Sequence, residues 1–145
     1  MSTFADSSAL VKLYADEAGH DDVRALTTVV VSQLARVEVP SALWRKHRLG
    51  ELTPADTSVL VADFESDYFG TPSSPAQFVA VAVTNGVLDQ AARLCAVHGL
   101  RAHDAVQLAS AIAAAAADPE CRTFAAYDSH LCAAASTEGL TVLGR

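Results

Sequence analysis

The sequence predicts an α/β fold, with a mainly parallel central sheet of four to five strands flanked by helices. Three observations carry that prediction. Short apolar runs alternate with longer helical ones along the chain, as strand–helix units do. Thr28-Val29-Val30-Val31 is β-branched and lacks polar alternation, the mark of a strand covered on both faces. Ala105 to Ala117 carries no charged side chain, which suits a helix buried among neighbours. A length of 145 residues fits one domain spanning 1–145.

The elements follow in order. A first strand is expected at Thr3 to Ala5, then a helix from Ser7 to Ala15 and, past Gly19, a short one near Asp21 to Leu26. The strand at Thr28 to Val31 leads into a helix from about Ser32 to His47, kinked at Pro40. Thr53-Pro54 opens the next helix, with Thr53 as N-cap and Pro54 in the first helical position. It runs to about Tyr68, and Asp63, Glu65 and Asp67 near its end read as a solvated face. After the loop Gly70 to Pro75 comes a strand at Gln77 to Val83, then a helix from Asn85 to Val97 ended by Gly99. A helix from Ala102 or His103 to about Asp118, a strand at Thr123 to Ala126, a helix at Ser129 to Ser136 and a strand at Thr141 to Leu143 complete the chain.

Composition narrows the class. Hydrophobic residues make up 51%, too many for a disordered chain. Ten Lys+Arg against 17 Asp+Glu leave a charge of −7, which argues against broad sequence-independent binding to nucleic acid. Cys95, Cys121 and Cys132 show no CxxC spacing and read as buried thiols, not as a disulfide framework or zinc site. With no signal peptide and no apolar stretch of the ~20 residues that span a bilayer, a cytoplasmic protein without membrane contact is expected.

Four acids stand in unusual places. Asp6 follows the first strand, Asp128 follows the fourth, and Asp104 opens the buried helix. In an open parallel sheet, ligands bind in the crevice beyond the carboxyl ends of the strands. Each of the three is equally explained as an N-cap, since Asp accepts from the unpaired amides of a first turn. Glu38 is expected in mid-helix among Leu34, Ala35, Ser41 and Ala42, a small and apolar face, and no cation lies at helical spacing to neutralise it. Convergence of four carboxylates requires raised pKa values or a hard cation. The absence of supporting histidines or thiols favours Mg²⁺ or Mn²⁺ over zinc.

Four phrases give these acids a context: Asp6-Ser7-Ser8-Ala9-Leu10-Val11-Lys12-Leu13-Tyr14, Arg36-Val37-Glu38-Val39-Pro40-Ser41-Ala42-Leu43, His103-Asp104-Ala105-Val106-Gln107-Leu108-Ala109 and Tyr127-Asp128-Ser129-His130-Leu131. Together, in this order and spacing, they resemble the motifs of PIN-domain proteins, and the whole chain resembles the VapC toxins of bacterial type II toxin–antitoxin pairs. The resemblance implies an α/β/α PIN-like fold and a Mg²⁺- or Mn²⁺-dependent endoribonuclease that leaves a 5′-phosphate and a 3′-hydroxyl. It implies Asp6 and Asp104 as principal metal ligands, with Glu38 and Asp128 completing the catalytic set. It also implies a cognate VapB-like antitoxin, an RNA substrate and a homodimer. Ser8 matches a family hydroxyl beside the first aspartate. Two positions depart from the family pattern: Ala126 stands where many members have Thr or Ser, and Gln107 where many have His.

Other conspicuous residues have plainer readings. Arg45-Lys46-His47-Arg48 suits either RNA phosphates or the cation-favouring end of a helix. Trp44 suits a packed position or a stacking platform, and His103 either joins the site or flanks a helix start. Rival functions are a PIN-type nuclease outside a toxin pair and a non-catalytic protein-binding domain of the same fold. A phosphoacceptor receiver is disfavoured, because Asp6 stands alone at the first strand and the last strand lacks Lys.

Overall fold

The alternation is realised as five strands and seven helices among residues 1–144, which a computed structural model describes. β1 (Ser2–Ala5) leads into α1 (Ser7–Leu10), a 3-10 turn (Val11–Leu13) and α2 (His20–Arg24). β2 (Thr28–Ser32), α3 (Ala35–Arg48), α4 (Pro54–Phe69) and β3 (Phe78–Val81) follow. α5 (Asn85–His98), α6 (Ala102–Ala117), β4 (Thr123–Ala125), α7 (Ser129–Thr137) and β5 (Thr141–Leu143) complete the fold.

All five strands are parallel, in the order β3-β2-β1-β4-β5. The chain lays strands outward from β1 to β3, then returns through α5 and α6 to place β4 on the other side of β1. Side chains alternate across the sheet, so each face nucleates its own core. Phe4, Val30 and Phe124 pack with α5, α6 and α7. Ala5, Val29, Val31 and Ala125 pack with α1, α3 and Phe64 of α4. The result is the three-layer α/β/α arrangement. Phe4 and Phe124 sit opposite each other in register and stack at 5.7 Å.

Several boundaries differ from expectation, each for a physical reason. The first helix does not continue to Ala15. It tightens after Leu10, and the Val11 carbonyl accepts from both Tyr14 N–H (3.0 Å) and Ala15 N–H (2.9 Å). The third helix starts at Ala35 instead of Ser32, because Ser32 still pairs with Val81 in the sheet and its hydroxyl accepts from Leu34 N–H. Glu38 therefore lies in the first turn of α3, not in mid-helix. α3 runs uninterrupted through Pro40.

Thr53 caps α4 through Asp56 N–H with Pro54 behind it, as expected. Asp63 and Glu65 are exposed. Asp67 is not simply solvated: it accepts from the Tyr14 hydroxyl at 2.6 Å and ties α4 to the first helical segment. β3 pairs only over Phe78–Val81, shorter than the expected Gln77 to Val83. Gly99 ends α5 in the left-handed region (φ +64°), a conformation that favours glycine. The three cysteines form no disulfide; Cys121 and Cys132 are buried and Cys95 half-buried. Among the described residues no helix is long and apolar enough to cross a membrane.

Candidate carboxylate site

The reversal of strand order at β1 and β4 opens a crevice beyond their carboxyl ends, where side chains from both strands' exits meet. Asp6 leaves β1 there, and its amide still reaches the Ala125 carbonyl of β4 at 3.0 Å. Asp128 leaves β4. α3 brings Glu38 and α6 brings Asp104 to the same cavity of about 700 Å³, so all four acids singled out in the sequence line one pocket.

Asp6 is buried, with 4% of its surface exposed. Its Oδ1 accepts from Ser8 Oγ at 2.6 Å and from Ala9 N–H at 3.0 Å, so it caps α1 while facing the pocket. Ser8 Oγ in turn accepts from Tyr127 N–H at 3.1 Å, which ties the exit of β4 to that of β1. The amide beside the hydroxyl-free Ala126 is thus satisfied from α1. Burial, above all, pushes the Asp6 carboxyl up to about 7. The Ser8 and Ala9 hydrogen bonds oppose that rise, and the nearby charges of Glu38 and Asp104 add to it.

Asp128 also combines both roles, with Oδ1 accepting from Leu131 N–H at 2.9 Å as the cap of α7. Asp104 is not a cap. Arg101 occupies the N-cap position of α6 without a side-chain capping bond, and Asp104 lies in the first turn. Glu38 Oε1 accepts from Ser7 Oγ at 3.1 Å and from Gln107 Nε2 at 2.7 Å, two neutral donors.

Several pocket residues were not singled out by the sequence reading. The Arg101 guanidinium donates to Asp104 Oδ2 at 3.2 and 3.3 Å and lies 3.9 Å from Asp128 Oδ2. Its i,i+3 spacing from Asp104 was a usable signal. Lys12 and Lys46, the chain's two lysines, converge on Glu17 at the pocket wall (3.3 and 2.5 Å), a meeting that no spacing along the sequence announces. Burial works against the charged form of Glu17, but these two ammonium groups, Lys46 foremost, hold its carboxyl below the usual range. His103 lines the pocket with Nε2 3.5 Å from Asp104 Oδ1. Trp44 is half-buried, its ring edge-on to His47 at 5.8 Å, while Arg45 and Arg48 are exposed.

Chemically, the pocket is a cleft in which the carboxylates of Asp6, Glu38, Asp104 and Asp128 meet the cationic side chains of Lys12, Arg45, Lys46 and Arg101 along its wall. Among the described residues no group of three or more His, Cys, Asp or Glu side chains could hold a metal ion by itself.

Comparison with known proteins agrees with this architecture. No family model matches the chain. Its fold is similar to that of VapC20 from Mycobacterium tuberculosis, a toxin described as cleaving the sarcin–ricin loop (TM-score 0.64, 17% identity, 99% of each chain). It is also similar to PAE2754 from Pyrobaculum aerophilum (0.62, 23%, 98% of this chain and 83% of that one). FitAcB from Neisseria gonorrhoeae matches with a TM-score of 0.61 at 16% identity over 98% and 96%. Closer in sequence are two Mycobacterium tuberculosis proteins, ribonucleases VapC45 (strain CDC 1551) and VapC49 (strain H37Rv). Each is 35% identical over 116 residues, covering 76% of this chain and 74% of the relative. With that identity spread over about three quarters of both chains, the protein belongs to the VapC ribonuclease family.

Proposed function

We propose that this protein is a Mg²⁺- or Mn²⁺-dependent endoribonuclease, the toxin of a VapBC-type pair, which hydrolyses RNA phosphodiester bonds and so inhibits translation and growth. The observation that carries the reading is the convergence of Asp6, Glu38, Asp104 and Asp128, from four separate segments, on one cleft at the strand-order reversal. The donor set fits a hard divalent cation. It consists of oxygens, its acids repel one another, and Asp6 pays for burial with a raised pKa. Mg²⁺ binds through one or two carboxylates and fills its other positions with waters and substrate phosphate, so two of these acids would suffice to hold it.

In this reading Asp6 and Asp104, the two most buried of the four, hold the ion. When bound, the cation polarises the phosphodiester and lowers the pKa of water. Glu38 and Asp128 orient the attacking water and receive its proton. The water oxygen bonds to phosphorus as the P–O3′ bond breaks, and the departing O3′ takes a proton from solvent water, leaving a 5′-phosphate and a 3′-hydroxyl. Arg101, exposed at the rim beside Asp104, is placed to meet a non-bridging phosphate oxygen. A VapB-like antitoxin would hold the toxin inactive, and the active form would be a homodimer.

The test compares wild type with Asp6→Ala and Asp104→Ala on RNA, with Mg²⁺ and with EDTA, and by growth on expression. Either substitution, or EDTA, should lower cleavage by about a hundredfold or more, since several kcal/mol of transition-state stabilisation are lost. Equal cleavage by wild type and both variants would sink the reading.

A further inference from the structure

Gln107 makes a poor structural tie by the ordinary accounting of buried polar groups. It sits on α6 one turn beyond Asp104 and is 2% exposed. Nε2 donates to Glu38 Oε1 at 2.7 Å and to Ser7 Oγ at 3.0 Å. Its own Oε1 is buried with no hydrogen-bond partner among the described residues. Leaving such an acceptor unpaired costs about 1–3 kcal/mol, which an apolar side chain of similar length would avoid. Native folds keep few such groups, and keep them mainly where function needs the arrangement.

The arrangement here serves Glu38. Among the described residues no cation forms an ion pair with its carboxylate, and both Ser7 and Gln107 donate to the same oxygen, Oε1. That fixes the carboxylate in rotation and leaves Oε2 outside the clasp. Both donors are neutral, so the clasp holds Glu38 by hydrogen bonds alone. The clasp also spans three elements, α1, α3 and α6, so the carboxylate is set by the assembled fold and not by its own helix alone.

We infer that Gln107 is a positioning residue, which fixes the Glu38 carboxylate for the water shell of a divalent cation at a cost in stability. The inference rests on the metal-nuclease reading above and concerns how this chain presents Glu38 to the ion.

The experiment measures Mn²⁺ affinity by calorimetry and thermal unfolding in EDTA for wild type, Gln107→Met, Gln107→His and Ser7→Ala, with Asp104→Ala as control. Gln107→Met, which keeps the volume and removes the donor, should weaken Mn²⁺ binding by up to about tenfold, the lower end of what loss of a partner orienting a metal's surroundings costs. Its midpoint in EDTA should be unchanged or higher, because the orphaned carbonyl is gone. Gln107→His, which keeps an N–H donor, should recover most of the affinity. Ser7→Ala removes the second donor, and with it one acceptor of Gln107 Nε2, while leaving Gln107 itself in place; it should weaken binding by a smaller factor, even if Gln107→Met proves unfolded. Wild-type Mn²⁺ affinity in Gln107→Met with a lowered midpoint would overturn the inference and leave Gln107 as packing. The same holds if affinity and midpoint fall together and His restores neither. If Asp104→Ala binds Mn²⁺ as wild type does, the metal reading itself fails and the inference falls with it.

Discussion

Asp6 shows how one carboxylate serves local structure and site chemistry at once. Capping and ligand binding seemed rival explanations in the sequence, yet Asp6 and Asp128 each cap a helix through Oδ1 while lining the pocket. The cap does not make Asp6 comfortable as an anion. With its folded pKa raised from 3.8 to about 7, the folded chain binds more protons than the unfolded chain between those values. Stability therefore falls as pH rises through that window, and above pH 7 the loss approaches about 4 kcal/mol at 1.36 kcal/mol per pH unit. Asp6→Asn, which retains a capping oxygen, should unfold at a higher temperature than wild type at pH 8. The two should converge toward pH 4, as read by calorimetry across pH. Mg²⁺ should raise the wild-type midpoint more at pH 8 than at pH 5, and EDTA should abolish that rise. All four acids were legible as candidates: Glu38 because a carboxylate on a small, apolar helix face breaks a local rule of placement, and the three aspartates because they stand at strand exits or open the buried helix. Arg101 was legible through its i,i+3 spacing from Asp104, whereas the Ser7–Glu38 contact and the Lys12–Glu17–Lys46 meeting were not, because they depend on how segments distant in sequence pack.

At the scale of elements, α3 carries the clearest local conflict. Pro40 lies well inside it, has no N–H to give the Arg36 carbonyl, and crowds that carbonyl with its ring. The helix persists because Ala35, Val39 and Leu43 are fully buried beneath it. Restoring the bond with Pro40→Ala should raise unfolding stability by up to about 3 kcal/mol, measured by urea titration with an unchanged slope. The start of α3 was misplaced for a related reason. Helical periodicity extends back to Ser32, but pairing with Val81 holds that residue in β2. The helix ends set by local chemistry, Thr53-Pro54 and Gly99, were legible; those set by tertiary pairing, as after Leu10, were not.

For the whole molecule, the strands were readable one by one but their order was not. Nothing local in Thr3-Phe4-Ala5 names Thr123-Phe124-Ala125 as its neighbour, yet that pairing builds both the central ladder and the crevice. The stacked Phe4–Phe124 pair is its apolar anchor. Phe124→Ala should cost about 3–5 kcal/mol and lower the unfolding midpoint by roughly 10 °C, seen by circular dichroism. The net charge of −7 also reads differently once the four pocket acids are set apart. Their charge is concentrated at one cleft, so on the nuclease reading proposed above RNA binding should respond more strongly to Mn²⁺ than to added monovalent salt, as a binding titration in each would measure.

The pairing of β1 with β4 also bears on the order in which the chain is made. A ribosome translates most of the polypeptide before β4 exists, and Asp128 follows only after that strand. Until then Asp6 waits at the edge of an unfinished sheet, its crevice lacking one wall. The emerging chain thus carries no assembled pocket through most of its synthesis. A fragment ending before β4 would lack Asp128 and the strand that pairs with β1, and so one wall of the cleft.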